Sequence, residues 1–169
     1  MTQPLIDTIV TTTFIRKDID RRLGMLREYL EGKFFTGKTA DVTFIAYLAT
    51  QKISEEDREI LPVWEHIITN TVTKDNFYDF FDSVNQRFKE LPTVKLFIPF
   101  IPTSTDAHEF GIWFRKQVDP RIILELHEEP SLVAGCAFVW QGVYREYSLR
   151  YFLRQKIDVI NTIFTSYAG

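Results

Sequence analysis

The spacing of apolar residues changes near residue 91, and this change limits the folds open to the chain. Upstream, apolar residues recur every three or four positions, which is typical of amphipathic helices. Downstream, short runs rich in β-branched and aromatic residues are separated by prolines and glycines, which is typical of strands and turns. The sequence therefore predicts two domains, a helical bundle over residues 1–90 and a small α/β domain over residues 91–169.

Six short helices are predicted in the first domain, because six segments each carry one apolar stripe. Their predicted starts are Pro4, Arg16, Thr39, Ser54, Val63 and Thr73. Pro62 is expected to separate the fourth helix from the fifth, since proline lacks the N–H group that a helix interior uses. Each stripe has to be covered by another element, so the six helices are expected to form a bundle.

The second domain is predicted to contain a strand, a helix, three more strands and a last helix. The predicted elements are a strand at 93–100, a helix at 104–117, strands at 121–126, 132–140 and 143–147, and a helix capped by Ser148. Gln141-Gly142 predicts a tight turn and therefore a hairpin between the last two strands. The last helix is expected to be long. The predicted fold class is α+β.

Charge and cysteine content exclude some classes of function. The net charge of −3 and the isoelectric point of about 5.6 give no overall attraction to nucleic acid or anionic lipid. The single cysteine, Cys136, lies in an apolar run that predicts a packed, unreactive thiol. No apolar run reaches the roughly 18 residues of a membrane span, and no secretory signal is visible at the N-terminus. We expect a protein that is soluble, or that is held at a membrane only through partners.

The sequence contains no arrangement typical of catalysis or of cofactor or metal binding. The seven glycines are scattered, whereas phosphate-binding loops need clustered glycines. The polar residues 125–129, which include His127, are interpreted as a solvated loop because neighbouring strand residues point to opposite faces. His66 and His108 are interpreted as surface residues. We expect no catalytic residue, no metal ligand and no cofactor.

A cluster of aromatic and basic residues leaves a second function open. Stacked rings and cations could hold a single-stranded nucleic acid. The cluster consists of Trp140, Tyr144, Arg145, Tyr147, Arg150, Tyr151 and Arg154. Residues 91–169 carry no net charge, which disfavours phosphate binding. A free-standing α/β module that binds single strands is therefore an alternative.

Residues 129–153 resemble a motif of a known protein family. The run Glu129-Pro130-Ser131-Leu132-Val133-Ala134-Gly135 is similar to the Asp-Pro-Ser-Leu-Ile-Gly-Gly motif of the F-type ATP synthase delta subunit, whose mitochondrial counterpart is the oligomycin-sensitivity-conferring protein. An apolar strand, a turn, a returning strand and a helix start follow, as in the family. The motif positions, all with structural roles, are Glu129, Pro130, Ser131, Leu132, Gly135, Gly142, Glu146, Ser148 and Leu153.

The resemblance has limits along the chain. It covers residues 93–157 by motif, and residues 1–90 by architecture only, because the family also begins with a six-helix bundle. Glutamate stands at both acidic positions where the family has aspartate, and Ala134 replaces the first glycine. Pro99-Phe100 replaces a Ser/Thr-Ala pair. The chain therefore resembles a divergent member.

The resemblance implies a stator subunit that is not an enzyme. Such a subunit binds N-terminal helices of the alpha subunits and the C-termini of the b subunits, and binds no nucleic acid. It lies at the cytoplasmic face of the cell membrane as a peripheral part of the ATP synthase. The E-type stalk subunit of archaeal or vacuolar ATPases is a further alternative, since it has a similar hairpin. That family begins with one long helix, which Gly24, Gly32, Gly37 and Pro62 disfavour here.

Overall fold

The structure of the first half is helical. A computed structural model describes residues 3–167, apart from the side chains of residues 164 and 167. The helices of this half are α1 (Gln3–Thr12), α2 (Arg16–Glu31), α3 (Phe44–Thr50), α4 (Glu55–Thr69) and α5 (Phe77–Glu90). A π-helical turn, Gly32–Thr36, extends α2 and ends at Gly37, which has a left-handed conformation with φ of 71°. The buried faces of the five helices meet in one apolar core, which includes Trp64, Phe77 and Leu26.

Helix α4 runs through Pro62, so the predicted break at this proline is wrong. Pro62 removes the hydrogen bond that would reach the carbonyl of Arg58, four residues earlier. Arg58 is exposed, so water can satisfy that carbonyl, while buried Leu61 and Trp64 hold the helix against its neighbours. Residues 3–90 therefore contain five α-helices, and the structure does not confirm the predicted six-helix bundle.

Two predicted helix starts are also wrong. Thr43, not Thr39, caps α3, because its side chain accepts a hydrogen bond from the amide of Ala46. Thr39 instead donates to the carbonyl of Tyr29 at 2.7 Å. Helix α5 begins after Asn76 rather than at Thr73. For α3 the sequence signal was correct in kind but ambiguous in position, since Thr39 and Thr43 can both serve as caps. Helix α5 has no side-chain cap at all.

The second half contains a four-stranded mixed sheet in the order β2-β1-β3-β4. The elements are β1 (Thr93–Ile98), α6 (Ser104–Gln117), β2 (Ile123–Glu128), β3 (Gly135–Trp140) and β4 (Val143–Ser148). Strands β1 and β2 are parallel and joined by α6, whereas β3 is antiparallel to both β1 and β4. The predicted hairpin is confirmed, with positive φ at Gln141 and Gly142. The predicted α+β fold class is confirmed at this level.

One long last helix was predicted, but the structure has two helices here, α7 (Leu149–Gln155) and α8 (Ile157–Tyr167). Between them, Lys156 leaves the helical conformation, with φ of −110° and ψ of 14°. The apolar side of this segment lies uncovered, because Leu149, Phe152, Leu153 and Ile157 are 42% to 52% exposed. The periodicity of the sequence is helical, but no element of the described chain packs against this side.

Residues 13–15, between α1 and α2, join the helical half to the sheet. Ile15 forms a parallel bridge with Leu124, and the amide of Leu124 donates to the carbonyl of Phe14 at 2.9 Å. The ring of Phe14 packs on Gly111 of α6 so closely that a Cβ at residue 111 would overlap it. Residues 13–15 therefore act as a short extra strand at the outer edge of β2.

Arg115 of α6 strengthens the same junction. Its guanidinium carbon lies 4.1 Å from the centre of the Phe14 ring. Its Nη2 donates to the carbonyl of Thr13 at 2.6 Å, and its Nε donates to the carbonyl of Ile122 at 3.2 Å. Burial lowers the pKa of Arg115 to about 10, so the side chain is still charged at neutral pH. One cation thus ties α6 and the start of β2 to the first half of the chain.

A buried ion pair holds α2 against α4. The side chains of Arg22 and Asp57 are both fully buried, and Arg22 Nε donates to Asp57 Oδ1 at 2.7 Å. Arg21 also donates to Asp57, and Arg22 Nη1 donates to Thr13 Oγ1 at 2.5 Å. Burial alone would raise the pKa of Asp57, but the hydrogen bonds from both arginines outweigh it and lower the pKa. The carboxylate is therefore charged and paired.

Replacing Asp57 with alanine is expected to destabilise the fold strongly. The change removes the fully buried partner of Arg22 and leaves its guanidinium with the half-exposed carboxylate of Glu56, which costs about 3–5 kcal/mol. Asp82→Ala is the control, because Asp82 is exposed on α5 and its loss should change the free energy of unfolding by less than about 0.5 kcal/mol. Urea unfolding of both variants measures the difference. Equal losses in the two variants would contradict a dominant role for the pair.

The same pair predicts a pH dependence of stability. The folded-state pKa of Asp57 lies below its ordinary value of 3.8, so the pair stabilises the fold above that pH and the contribution is lost as the pH falls through the folded-state pKa. Asp57→Asn has no carboxylate to titrate. Its deficit relative to the wild type should be largest near neutral pH and should shrink below about pH 4. Urea unfolding between about pH 6 and pH 2 measures both curves, and a constant deficit would refute this origin.

Candidate functional site

The residues that resemble the family motif lie mostly in one junction between a loop and the start of α7. The loop begins at Glu129, whose amide donates to the carbonyl of Ile98 at 2.7 Å. Pro130–Leu132 then forms a 3₁₀ turn, in which Leu132 is fully buried. The turn closes through a bond from the amide of Val133 to the carbonyl of Pro130, at 3.0 Å. The loop is therefore fixed at the end of β1.

A chain of hydrogen bonds connects this loop to β4 and α7. Arg150 Nε donates to Glu146 Oε1 at 3.1 Å, and Arg150 Nη1 donates to Ser131 Oγ at 2.5 Å. Ser131 in turn donates to Glu129 Oε1 at 2.5 Å. A hydrogen bond from Ser148, together with those from Tyr144 and Arg150, lowers the pKa of Glu146. Four of the predicted motif residues are thus connected through Arg150 and one another: Glu129, Ser131, Glu146 and Ser148.

Arg150 was assigned from the sequence to the nucleic-acid cluster, and its part in this junction was missed. The signal that could have found it is its spacing, four residues after Glu146 across a helix start, which brings opposite charges together. Because Arg150 bonds Glu146 and Ser131, its guanidinium is already occupied by the protein itself.

Ser148 begins α7 and anchors it to the loop. Its side chain is fully buried and accepts a hydrogen bond from the amide of Tyr151 at 3.1 Å. The next amide, of Leu149, donates to the carbonyl of Ala134 at 2.9 Å. The expected N-cap at Ser148 is confirmed, and it satisfies donors that a helix start leaves free.

The remaining motif residues have separate surroundings. Gly135 has φ of 82°, and a Cβ there would overlap the carbonyl oxygen of Tyr147 on the paired strand. Gly142 also has a positive φ, 78°, but lies in the open hairpin turn with no atom near its Cβ position. Leu153 lies on α7 and is 44% exposed. Gly135 therefore allows the strands to approach, Gly142 shapes the turn, and Leu153 belongs to the uncovered surface.

The aromatic and basic cluster does not form one flat stacking surface. Tyr144 and Tyr147 point to opposite faces of β4, because three positions separate them on a strand. Together with Arg145 and Tyr151 they line a pocket of about 420 Å³. Arg150 is paired with Glu146 and Ser131. The structure therefore brings several rings near each other and engages one of the three arginines of the cluster within the protein.

An apolar groove between α6 and the sheet was not found from the sequence. This sheet groove has a volume of about 650 Å³ and contains no charged side chain. It is lined by Leu96, Ile98, Phe100, Phe110, Trp113, Phe114, Gly135, Cys136, Phe138 and Tyr147. Trp113 is 57% exposed in it, and burial raises the pKa of the Cys136 thiol. The groove arises because α6 covers only part of an apolar sheet face.

A second groove lies between α3 and α4 in the helical half. This helical groove has a volume of about 350 Å³, and Lys33 and Glu65 contribute charges to its lining. Its lining includes Ile45, which is 72% exposed. The other side of α3 buries Phe44, Tyr47 and Leu48. The lining of the helical groove therefore combines exposed apolar surface with one charge of each sign.

The histidines and acidic residues do not gather into a metal site in the part of the chain that is described. His127 stacks on the ring of Phe97, and its Nε2 lies 4.0 Å from Glu125 Oε2. Lys95 Nζ lies 3.9 Å from the same oxygen. His108 packs edge-on against Phe14, with ring centres 4.8 Å apart. Over residues 3–167, no helix is long and apolar enough to cross a membrane.

Comparison with known proteins gives no family for the chain: no protein-family model matches it, and no curated protein matches it significantly. The function is therefore argued from the motif and the geometry alone.

Replacing Gly135 with alanine is expected to cost more stability than replacing Gly142. Both positions have a positive φ, so each alanine brings strain of about 1–2 kcal/mol. At residue 135 the methyl group would also overlap the Tyr147 carbonyl, which adds about 1–3 kcal/mol. Denaturant unfolding measures both losses, and the second variant is the matched control. A larger loss in Gly142→Ala would show that close strand approach is not the reason for glycine at position 135.

Proposed function

We propose that the chain is a stator subunit of an F-type ATP synthase, which links the catalytic head to the peripheral stalk. The observation that carries this proposal is the junction of Glu129, Ser131, Glu146, Ser148 and Arg150, in which residues of the family-like motif contact one another. These contacts fix a helix on a sheet. A scaffold that transmits force needs this kind of rigid connection.

The helical half would bind the N-terminal helices of the alpha subunits. The helical groove supports this assignment, since an amphipathic helix inserts apolar side chains into such a groove at every third or fourth position. Ile45 stands at its rim, where a partner can cover it. Interface anchors of this kind contribute most of the binding energy.

The α/β half would bind the C-termini of the b subunits through α7. Leu149, Phe152 and Leu153 are half exposed on this helix and lie within two turns of it. The junction with Arg150 holds α7 in a fixed orientation on the sheet. A load applied to α7 would therefore pass into the sheet and, through residues 13–15, into the helical half. In the assembled enzyme the chain would lie at the cytoplasmic face of the membrane without crossing it.

Two other assignments have less support. An E-type stalk subunit would begin with one long helix, whereas α1 and α2 have 10 and 16 residues and are separated by the extended residues 13–15. A module for single-stranded nucleic acid has less support because the second half carries no net charge and because Arg150, one of the three arginines in the cluster, is bound to Glu146 and Ser131. The stator assignment requires neither a long first helix nor a free Arg150.

The proposal predicts two separable binding surfaces. Ile45→Glu should weaken binding of an alpha N-terminal helical peptide at least about tenfold and leave binding of a b C-terminal peptide unchanged. Leu153→Glu should have the reverse effect. Both side chains are largely exposed, so both variants should fold. Isothermal titration calorimetry with the two peptides measures each affinity.

Each variant is thus the control for the other. Absence of binding by the wild-type protein to both peptides would refute the stator assignment. A salt-dependent affinity for a single-stranded oligonucleotide, lost in Arg154→Ala, would favour the nucleic-acid alternative. A pull-down from native membranes that recovers alpha, beta and b subunits would give independent support.

A further inference from the structure

Val133 has an unfavourable backbone conformation, with φ of 69° and ψ of −54°. The amide of Ala134 donates to the carbonyl of Leu132 at 2.8 Å, which closes a three-residue γ-turn with Val133 at its centre. A γ-turn with positive φ is rare and strained. A β-branched side chain is especially unsuited to it, whereas glycine adopts positive φ without a steric penalty. Glycine would therefore form the same turn more easily than valine does.

The side chain of Val133 contributes little to the fold in return. It is 63% exposed, while Leu132 beside it is fully buried. Val133 belongs to neither of the two apolar cores formed by the described residues. Most of its apolar surface thus stays in water and gives little of the stabilisation that burial provides. Residues that break a local rule without a gain in packing are expected at functional sites, where something other than folding retains them.

Val133 lies beside the first turn of α7. The amide of Leu149 donates to the carbonyl of Ala134, which directly follows Val133 in the chain. Leu149 is 42% exposed and begins the apolar surface of α7. The backbone around Val133 is held on both sides, by buried Leu132 and by the bond to Leu149. The turn therefore presents the valine side chain at a fixed place at the N-terminal end of α7.

We infer that Val133 is a specificity-determining residue of the surface that binds the b C-terminal helix. This inference rests on the proposed function, because the b subunit is the partner proposed for α7. A helix that lies along α7 covers Leu149 and extends over Val133, whose branched side chain then leaves water. The strain is present in the free and in the bound chain, so it does not reduce affinity. A rigid turn instead limits the conformational freedom that binding would have to remove.

Calorimetry with the b C-terminal peptide tests the role of the side chain. Val133→Gly should raise the dissociation constant at least about fivefold, because the partner loses the branched side chain that it covers. Val133→Ala also lacks the two branching methyl groups and should behave similarly. Val133→Ile keeps a branched apolar side chain and should bind within about twofold of the wild type. Binding of the alpha peptide should be unchanged in all three variants.

Urea unfolding of the same variants supplies a readout that a purely structural role would not give. Val133→Gly relieves the positive φ, so its unfolding midpoint should lie above that of the wild type. Gln141→Gly is the matched control, since Gln141 also has a positive φ, 49°, but lies in the hairpin turn at the far end of β4 from α7. It should relax the backbone in the same way and leave the b affinity unchanged.

The outcomes separate this inference from the stator assignment. Unchanged b affinity in Val133→Gly, with binding still lost in Leu153→Glu, would overturn the role of Val133 and leave the stator assignment intact. A lower unfolding midpoint in Val133→Gly would show that the fold itself uses the side chain, which also overturns the inference. A wild-type chain without affinity for the b peptide would overturn the inference together with the proposed b site.

Discussion

The arrangement of the whole chain depends on the extended residues 13–15. They pair with the outer edge of β2, and their carbonyl groups accept hydrogen bonds from Leu124 and Arg115. The same residues separate α1 from α2 and receive a bond from buried Arg22. Because β2 also contributes Ile123 to the helical core, the sheet and the helices share one set of contacts. The helical half and the sheet are therefore connected through residues 13–15 and β2.

Much of the fold follows from the sequence because apolar periodicity survives in the structure. The bounds of α2 and α6, the hairpin and the succession of strands and helices along the second half were all predictable in this way. The errors arose where tertiary packing overrides a local rule. Pro62 is tolerated because α4 is held by its buried face, and residues 13–15 form a strand although three residues carry no periodic signal. The boundary between domains near residue 91 stays a prediction.

The candidate site was predictable only where its residues are close in sequence. The motif at 129–135 and the cap at Ser148 are recognisable from the spacing of their residues along the sequence. They are close in the structure because the β3-β4 hairpin pairs Gly135 with Ser148. The role of Arg150 was hidden, since an exposed basic residue beside tyrosines has the same appearance as a nucleic-acid contact. The sheet groove combines Leu96, Trp113 and Phe138 from three elements, and no periodicity along one element reveals it.

The bond between Arg115 and Thr13 joins residues 102 positions apart in the chain. During synthesis at the ribosome, residues 13–15 emerge long before their partners in α6 and β2 exist. The early helices can gather, but the carbonyl groups of Thr13 and Phe14 lack their partners Arg115 and Leu124 until the later segments arrive. Contacts of such long range slow folding, since a large loop must close before they form. The contacts between residues 13–15 and the α6–β2 segment are therefore expected to form late in folding, after the second half of the chain has been synthesised.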